Sequence, residues 1–244
     1  NGDLIHTLPK VHIVLAGIEK VVPRPEDAFA VLRLLARSAT GQEITCYTSV
    51  VTGPKRRAEL DGPEEFHVVL LDNGRSALLG GPIGEVLRCI RCGACQSLCP
   101  VYGAVGGHAY GWVYGGPIGA VLTPALIGLV ESRHLPEAST FCGACADVCP
   151  VRIPLPDLMR RWREEAYAKR MTSAVTRVAM GAWSFLARRP VLYRLATRCL
   201  IETISLMSPR SGRFRALPLA SGWTGKRDLP APEGGTFFGR WRGK

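Results

Sequence analysis

Cys89-Ile90-Arg91-Cys92-Gly93-Ala94-Cys95-Gln96-Ser97-Leu98-Cys99-Pro100 is the stretch that decides how this chain reads. Three cysteines stand two residues apart, a fourth follows after three more, and a proline closes the run. This is the C-x2-C-x2-C-x3-C-P spacing of bacterial proteins with two iron–sulfur clusters, in which the fourth thiolate serves the other cluster. The tight spacing wraps a short loop around one cuboidal cluster, and Gly93 lets the backbone come close to it. Pro100 keeps the chain from folding the fourth thiolate back. Zinc is the minor alternative for such a set of thiolates.

A second run, Cys142-x2-Cys145-x3-Cys149-Pro150, matches the last three positions of the first, and its first position is occupied by Ser139. Under the crossed rule, Cys89, Cys92, Cys95 and Cys149 hold one cluster. Cys99, Cys142 and Cys145 hold the other, which is one thiolate short. Three arrangements satisfy that count: a three-iron cluster, a four-iron cluster with Ser139 or water as a fourth ligand, or a thiolate from a partner or from outside the motifs. A serine at such a position is ordinarily a loop or cap residue. The 42 residues between Cys99 and Cys142, with helical patterns after each Cys-Pro, favour an α-helical ferredoxin module over a compact strand-rich one.

Working outward, residues 1–78 read as α/β. Val11–Val22 reads as a buried strand, Glu26–Ser38 as a helix, and Gln42–Val51 and Phe66–Leu71 as two further strands. Asp72-Asn73-Gly74 marks a turn. Cys46 falls in the second of these strands and reads as a small core residue. Residues 79–157 carry the cysteine motifs and the Gly-rich connection Gly103–Pro124. In that connection His108, Tyr110 and Trp112 read as packing around a cluster, and no catalytic residue is identified. Residues 158–244 read as helices over Leu158–Met171, Ala174–Ala187 and Val191–Ile204, with a break at Pro190, and Cys199 reads as structural. An extended tail follows from Ser208, whose Trp223, Phe237, Phe238 and Trp241 are expected to pack on the body or a partner. The expected class is therefore α+β, with domains at 1–78, 79–157 and 158–244.

The chain has 244 residues, 47% of them apolar, enough for a real core. The longest apolar stretches, Pro117–Val130 and Met180–Leu186, are too short or interrupted to span a bilayer. No basic and apolar leader opens the chain, so no signal peptide is expected. Seven of nine cysteines fall in the two motifs, which argues for thiolates kept reduced for iron in the cytoplasm rather than for disulfides. The net charge of +11 is concentrated beyond residue 151. That basic part is suited to an acidic partner, an anionic membrane or nucleic acid, or is a solvated face.

The segments CIRCGACQSLCPVY, GGHAYGWVYGGPIGAVLTP and LPEASTFCGACADVCPVRIPLPDL resemble the lactate utilization protein B family, as do HTLPKVHIVLAGIEKVV, LLARSATGQEIT and GPEEFHVVLLDNGRS upstream and GWTGKRDLPAPEGGTF downstream. The resemblance covers nearly the whole chain. It implies an electron carrier in the oxidation of L-lactate to pyruvate, with two iron–sulfur clusters at the seven motif cysteines. It implies two companions, a protein of paired cysteine-rich repeats and a smaller lactate-utilization-domain protein. It also implies that the first 78 residues are part of a longer lactate-utilization domain whose front half lies outside this sequence, leaving a partial sheet with open edges. The three-cysteine second motif is then a family trait.

Other readings predict different behaviour. The iron–sulfur subunit of a glycolate oxidase or a heterodisulfide-reductase-like complex would share the first motif, but the incomplete second motif and PVRIPLP favour the lactate family. A cluster-sensing regulator would bind nucleic acid through the basic C-terminal third, and no recognition helix or phosphate-directed stripe stands out there. A scaffold stapled by inert clusters would resist rapid reversible reduction. No G-x-G-x-x-G follows a strand, so electrons are expected to come from a partner.

Overall fold

Helix α1 (Gly2–Thr7) leads into strand β1 (Val11–Gly17) in the computed structural model, which describes residues 2–217, 224 and 226–241. Helix α2 (Pro25–Thr40) starts with Pro25 in its first turn and ends where Gly41 turns left-handed at φ 73°, the usual helix stop. Strand β2 (Glu65–Leu71) then pairs parallel to β1, with Val11 opposite Glu65 and Gly17 opposite Leu71. The class is α+β.

Two details of this region differ from expectation. β1 stops at Gly17, and Ile18–Lys20 form a 3-10 turn instead of more strand. Val11, Ile13 and Leu15 remain 47%, 58% and 65% exposed, because alternate side chains of a strand face opposite sides. The apolar run is therefore a half-covered strand, not a buried one. Gln42–Val51 forms no strand at all. Thr45 Oγ1 instead contacts the Tyr47 carbonyl and the Thr48 hydroxyl at 3.1 and 2.7 Å, local bonds that compete with a ladder. Cys46 is accordingly exposed and not a core residue.

The cysteine region is built of short helices around one buried helix. These are α3 (Ala94–Ser97), α4 (Pro100–Val105), α5 (Gly116–Ile127), α6 (Leu129–Ser132), α7 (His134–Glu137), α8 (Ala144–Asp147) and α9 (Leu155–Ala168). α5 grows out of the Gly-rich connection and is buried from Gly116 to Pro124, as a helix apolar on all sides must be. Glycine is required at its start: a Cβ on Gly119 would stand 1.8 Å from the Tyr114 carbonyl oxygen. α9 is amphipathic. Leu155, Leu158 and Met159 are at most 2% exposed, and each is worth on the order of 1.5–3 kcal/mol. This outweighs its exposed Lys169–Glu165 pair at 2.6 Å, worth about 0.5 kcal/mol at most. Trp162 Nε1–H donates to the Val121 carbonyl at 2.9 Å and ties α9 to α5.

Residues 1–171 and 172–244 form two compact units. The second contains helices α10 (Ala174–Ala187) and α11 (Pro190–Leu206), the strands β3 (Arg213–Phe214) and β4 (Leu229–Pro230), and helix α12 (Phe237–Trp241). Pro190 occupies the first turn of α11, so it opens a helix as well as ending the one before. Among the described residues of the tail, Arg213–Phe214 and Leu229–Pro230 form the short antiparallel β3–β4 ladder and Phe237–Trp241 forms α12. Phe238 packs edge-on to Tyr193 of α11, and Phe237 lies 5.6 Å from Trp241. Trp223 lies outside the described residues. Cys199 is exposed on α11, so its expected structural role does not come from burial. Among the described residues no helix is long and apolar enough to cross a membrane.

Candidate metal centre

The cysteine loops begin with backbone that few side chains adopt. Arg91 and Phe141 sit at φ 63° and 54°, and Gly93 and Gly143 at 80° and 89°. In each loop the left-handed pair flanks one cysteine, Cys92 or Cys142, and turns the chain sharply around it. Left-handed backbone costs a non-glycine residue about 1–3 kcal/mol and persists only where neighbours hold it. Both are held by cation–π contacts. The Arg91 guanidinium lies 4.0 Å from the Tyr114 ring centre, and Arg163 lies 4.1 Å from that of Phe141.

The structure separates the seven motif cysteines into two cavities. Cys89, Cys92, Cys95 and Cys149 line one, and Cys99, Cys142 and Cys145 line the other. Each cavity draws a cysteine from the opposite motif, because α3 and α8 carry Cys99 and Cys149 away from their own loops. Both cavities reach the first turns of α5, through Ile118 on one side and Gly116 and Pro117 on the other.

Backbone N–H groups point at the thiols. Arg91 N–H donates to Cys89 Sγ at 3.4 Å, Tyr102 N–H to Cys99 Sγ at 3.4 Å and Ile153 N–H to Cys149 Sγ at 3.3 Å. The Ile118 N–H in the first turn of α5 bonds to Cys95 and eases its ionisation, as a helix N-terminus does for an anion. As free thiols these groups resist ionisation. Burial pushes Cys95 up to about 12 and Cys145 up to about 11. It also raises Cys89, opposed by the Arg91 N–H and by the charges of Arg91 and Lys20. Bound iron would displace those protons, and the N–H groups would then bond to sulfur that carries charge.

The donor set fits iron–sulfur clusters. The thiols of each set come from two separate loops and line one shared cavity, an arrangement suited to a body of several irons. A cluster takes its thiolates one per iron, spread around a larger body.

A buried charge group adjoins the first cavity. The side chain of Glu19, just after β1, is 6% exposed and faces Arg75 Nε at 2.8 Å and Arg91 at 3.5 Å. The Arg75 contact is close but off the axis of a hydrogen bond. Burial works against ionising Glu19, yet its own backbone N–H, Arg75 and Lys20 together outweigh that, so its carboxyl lies below the usual carboxylate range. Lys20 Nζ donates to the Cys89 carbonyl. Burial, and then Arg91, pull the Lys20 ammonium below its ordinary value. Sequence reading had no signal for Glu19, Lys20 or Arg75, which lie far along the chain from any cysteine. Arg91 sits inside the first motif, where the spacing rule treats it as filler.

Beside the second cavity, Arg163 of α9 donates to the carbonyls of Pro136, Glu137 and Ser139 at 2.9, 2.7 and 2.9 Å. It grips the loop that carries Ser139, and Ser139 lines this cavity. Of the three residues of the Gly-rich connection, Tyr110 is buried and also lines it. His108 and Trp112 are exposed.

Two family models match the chain. The model of the LUD domain matches residues 1–71, and that of the 4Fe-4S dicluster domain matches residues 85–153. Lactate utilization protein B of Lysinibacillus sphaericus is 43% identical over 97% of this chain and 50% of its own length. That of Bacillus pumilus is 45% identical over 95% and 49%. The chain is a homologue of lactate utilization protein B. It spans about half the length of the curated lactate utilization B proteins it matches. No solved structure matches it.

Proposed function

We propose that this chain carries electrons through two iron–sulfur clusters during lactate utilization, in the oxidation of L-lactate to pyruvate. The observation that carries this reading is the crossed sorting of seven cysteines into two thiol-lined cavities, supported by the similarity to lactate utilization protein B. Cys89, Cys92, Cys95 and Cys149 would hold one cluster, and Cys99, Cys142 and Cys145 the other. When bound, the clusters would supply one-electron transfer.

The chain's residues set the conditions for that chemistry. The N–H groups of Arg91, Tyr102, Ile153 and Ile118 donate to sulfur, and such bonds stabilise the more negative, reduced state. Lys20 and Arg91 add positive charge beside Cys89, with the same sign of effect. Cys142 is the exposed cysteine of the second set and Cys145 the buried one, so the second cavity gives electrons a short route to the surface. The donor and acceptor are proposed to be companion lactate-utilization proteins, in a reduced cytoplasmic setting. The charge of residues 152–244 would suit an acidic companion.

The test is anaerobic purification, iron and sulfide counts, and low-temperature EPR before and after dithionite. Two clusters, at least one of them reversibly reducible, are expected. Zinc in place of iron, with no signal in either state, refutes the proposal. Salt-sensitive DNA binding would point instead to the regulator reading.

A further inference from the structure

The two cysteine loops are the same piece of backbone, used twice fifty residues apart. Gln96 N–H donates to the Gly93 carbonyl at 2.9 Å, and Ala146 N–H to that of Gly143 at 2.8 Å. Cys99 N–H reaches the Gln96 carbonyl at 3.1 Å, and Cys149 N–H that of Ala146 at 3.2 Å. The match continues upstream of the paired cysteines. Cys89 N–H donates to the Val86 carbonyl at 3.2 Å, and Ser139 N–H to that of Pro136 at 3.5 Å. Arg91 N–H then donates to Cys89 Sγ, and Phe141 N–H donates to Ser139 Oγ at 3.2 Å. The Ser139 hydroxyl therefore occupies the place in its loop that a ligand thiol occupies in the other.

We propose that Ser139 Oγ is the fourth protein ligand of the second site, completing a four-iron cluster that three thiolates alone would leave one ligand short. The inference rests on the two-cluster reading above. Two observations carry it independently of each other: the loop equivalence with Cys89, and the position of Ser139 in the wall of the cavity lined by Cys99, Cys142 and Cys145. The neighbouring hydroxyl, Thr140, corresponds to Ile90 and so to no ligand. Cys46, a free thiol outside the motifs, does not line the cavity. On binding, an Fe–O bond forms and the hydroxyl proton leaves to solvent, with no change in electron count. The Phe141 N–H then donates to the resulting alkoxide, and Arg163 holds the loop from outside by its three carbonyl bonds.

The alternative is a serine that only stabilises its turn. The experiment compares the full chain with Ser139→Ala and Ser139→Cys, all purified anaerobically, by iron count, Mössbauer spectra, EPR and redox titration. Two four-iron clusters are expected in the unsubstituted chain. Ser139→Ala should show a three-iron signal as isolated, with the other cluster unchanged. Ser139→Cys should keep two four-iron clusters with the second shifted in g-values and to higher potential, since thiolate stabilises ferric iron less than alkoxide does. A purely structural serine would leave the iron count and spectra of Ser139→Ala unchanged, and that variant decides between the two readings, because a cysteine at this position would offer iron a thiolate in either case. The proposal is overturned if Ser139→Ala keeps the same iron count and spectra, if Ser139→Cys leaves the second signal untouched, or if the unsubstituted chain already holds a three-iron cluster. Each of these outcomes leaves the first cluster's signal, and with it the electron-transfer reading, standing. Absence of iron from both sites would overturn both.

Discussion

Replacing Glu19 with Gln should loosen the attachment of the β1–β2 region to the first cysteine loop. The carboxylate neutralises Arg75, whose side chain is 9% exposed, at 2.8 Å. Its removal leaves that guanidinium buried without its anion, and breaking a buried pair from one side costs about 3–5 kcal/mol. Arg91 and Lys20 are 29% and 37% exposed, and water screens them, so their share is at most about 1 kcal/mol. The pair with Arg75 therefore dominates. The loss is a large part of the ~5–15 kcal/mol of a typical fold. With a urea slope of ~1–3 kcal/mol per molar, the midpoint should fall by roughly 1–2 M or more. Unfolding would be followed anaerobically by cluster absorbance and by circular dichroism. Bound clusters compromise a two-state reading, so a cycle with Arg75→Met supplies the control. The double variant should recover most of the loss, because an apolar replacement of both partners is close to neutral. The sign of the pH effect follows from the carboxyl lying below its usual range in the folded state. The unfolded chain binds the extra proton, so the contribution of Glu19 is complete above about pH 4.5 and is lost only as pH falls through the lower folded value. The gap between the unsubstituted chain and Glu19→Gln should then be flat between about pH 6 and 8. A midpoint shift below roughly 0.3 M, corresponding to less than about 1 kcal/mol, would refute the reasoning. So would a double variant no more stable than Glu19→Gln.

Three further outcomes are expected. Cys149→Ala should remove the cluster of the first motif and Cys99→Ala that of the second, read by EPR of each variant; loss in the uncrossed sense would refute the assignment. Gly119→Ala should fail to fold or to incorporate iron, since its Cβ meets the Tyr114 carbonyl at 1.8 Å, and full cluster content in soluble protein would contradict this. Trp162→Phe keeps the ring's burial but loses the bond to Val121. It should cost about 1 kcal/mol, or about 2–4 °C in melting temperature for a unit of this size, measured by calorimetry.

The cysteine motifs and the helix pattern were legible because each depends on local spacing. C-x2-C-x2-C-x3-C-P needs only a short loop to be meaningful, and the α9 and α10 faces follow from a period that the helix itself imposes. Gln42–Val51 was misread for the opposite reason. Its β-branched composition states what the segment could do beside a partner strand, and the side-chain bonds of Thr45 win where no ladder forms. Cys46 was misplaced along with it. α5 was hidden because its glycines and prolines, ordinarily breakers, here permit close packing against Tyr114 and Gln96.

By itself the sequence determined the chemistry of this protein: which thiols are present, how they are spaced, and that one position of eight holds a hydroxyl. The crossed sharing of Cys99 and Cys149 was also expected from that spacing. Only the tertiary structure decided what surrounds the thiols: the Arg163 grip on the Ser139 loop and the Glu19–Arg75 pair beside Cys89 join residues distant in the chain. No local pattern encodes such contacts, because they arise when buried charge and left-handed backbone need partners that only the packed fold brings within reach.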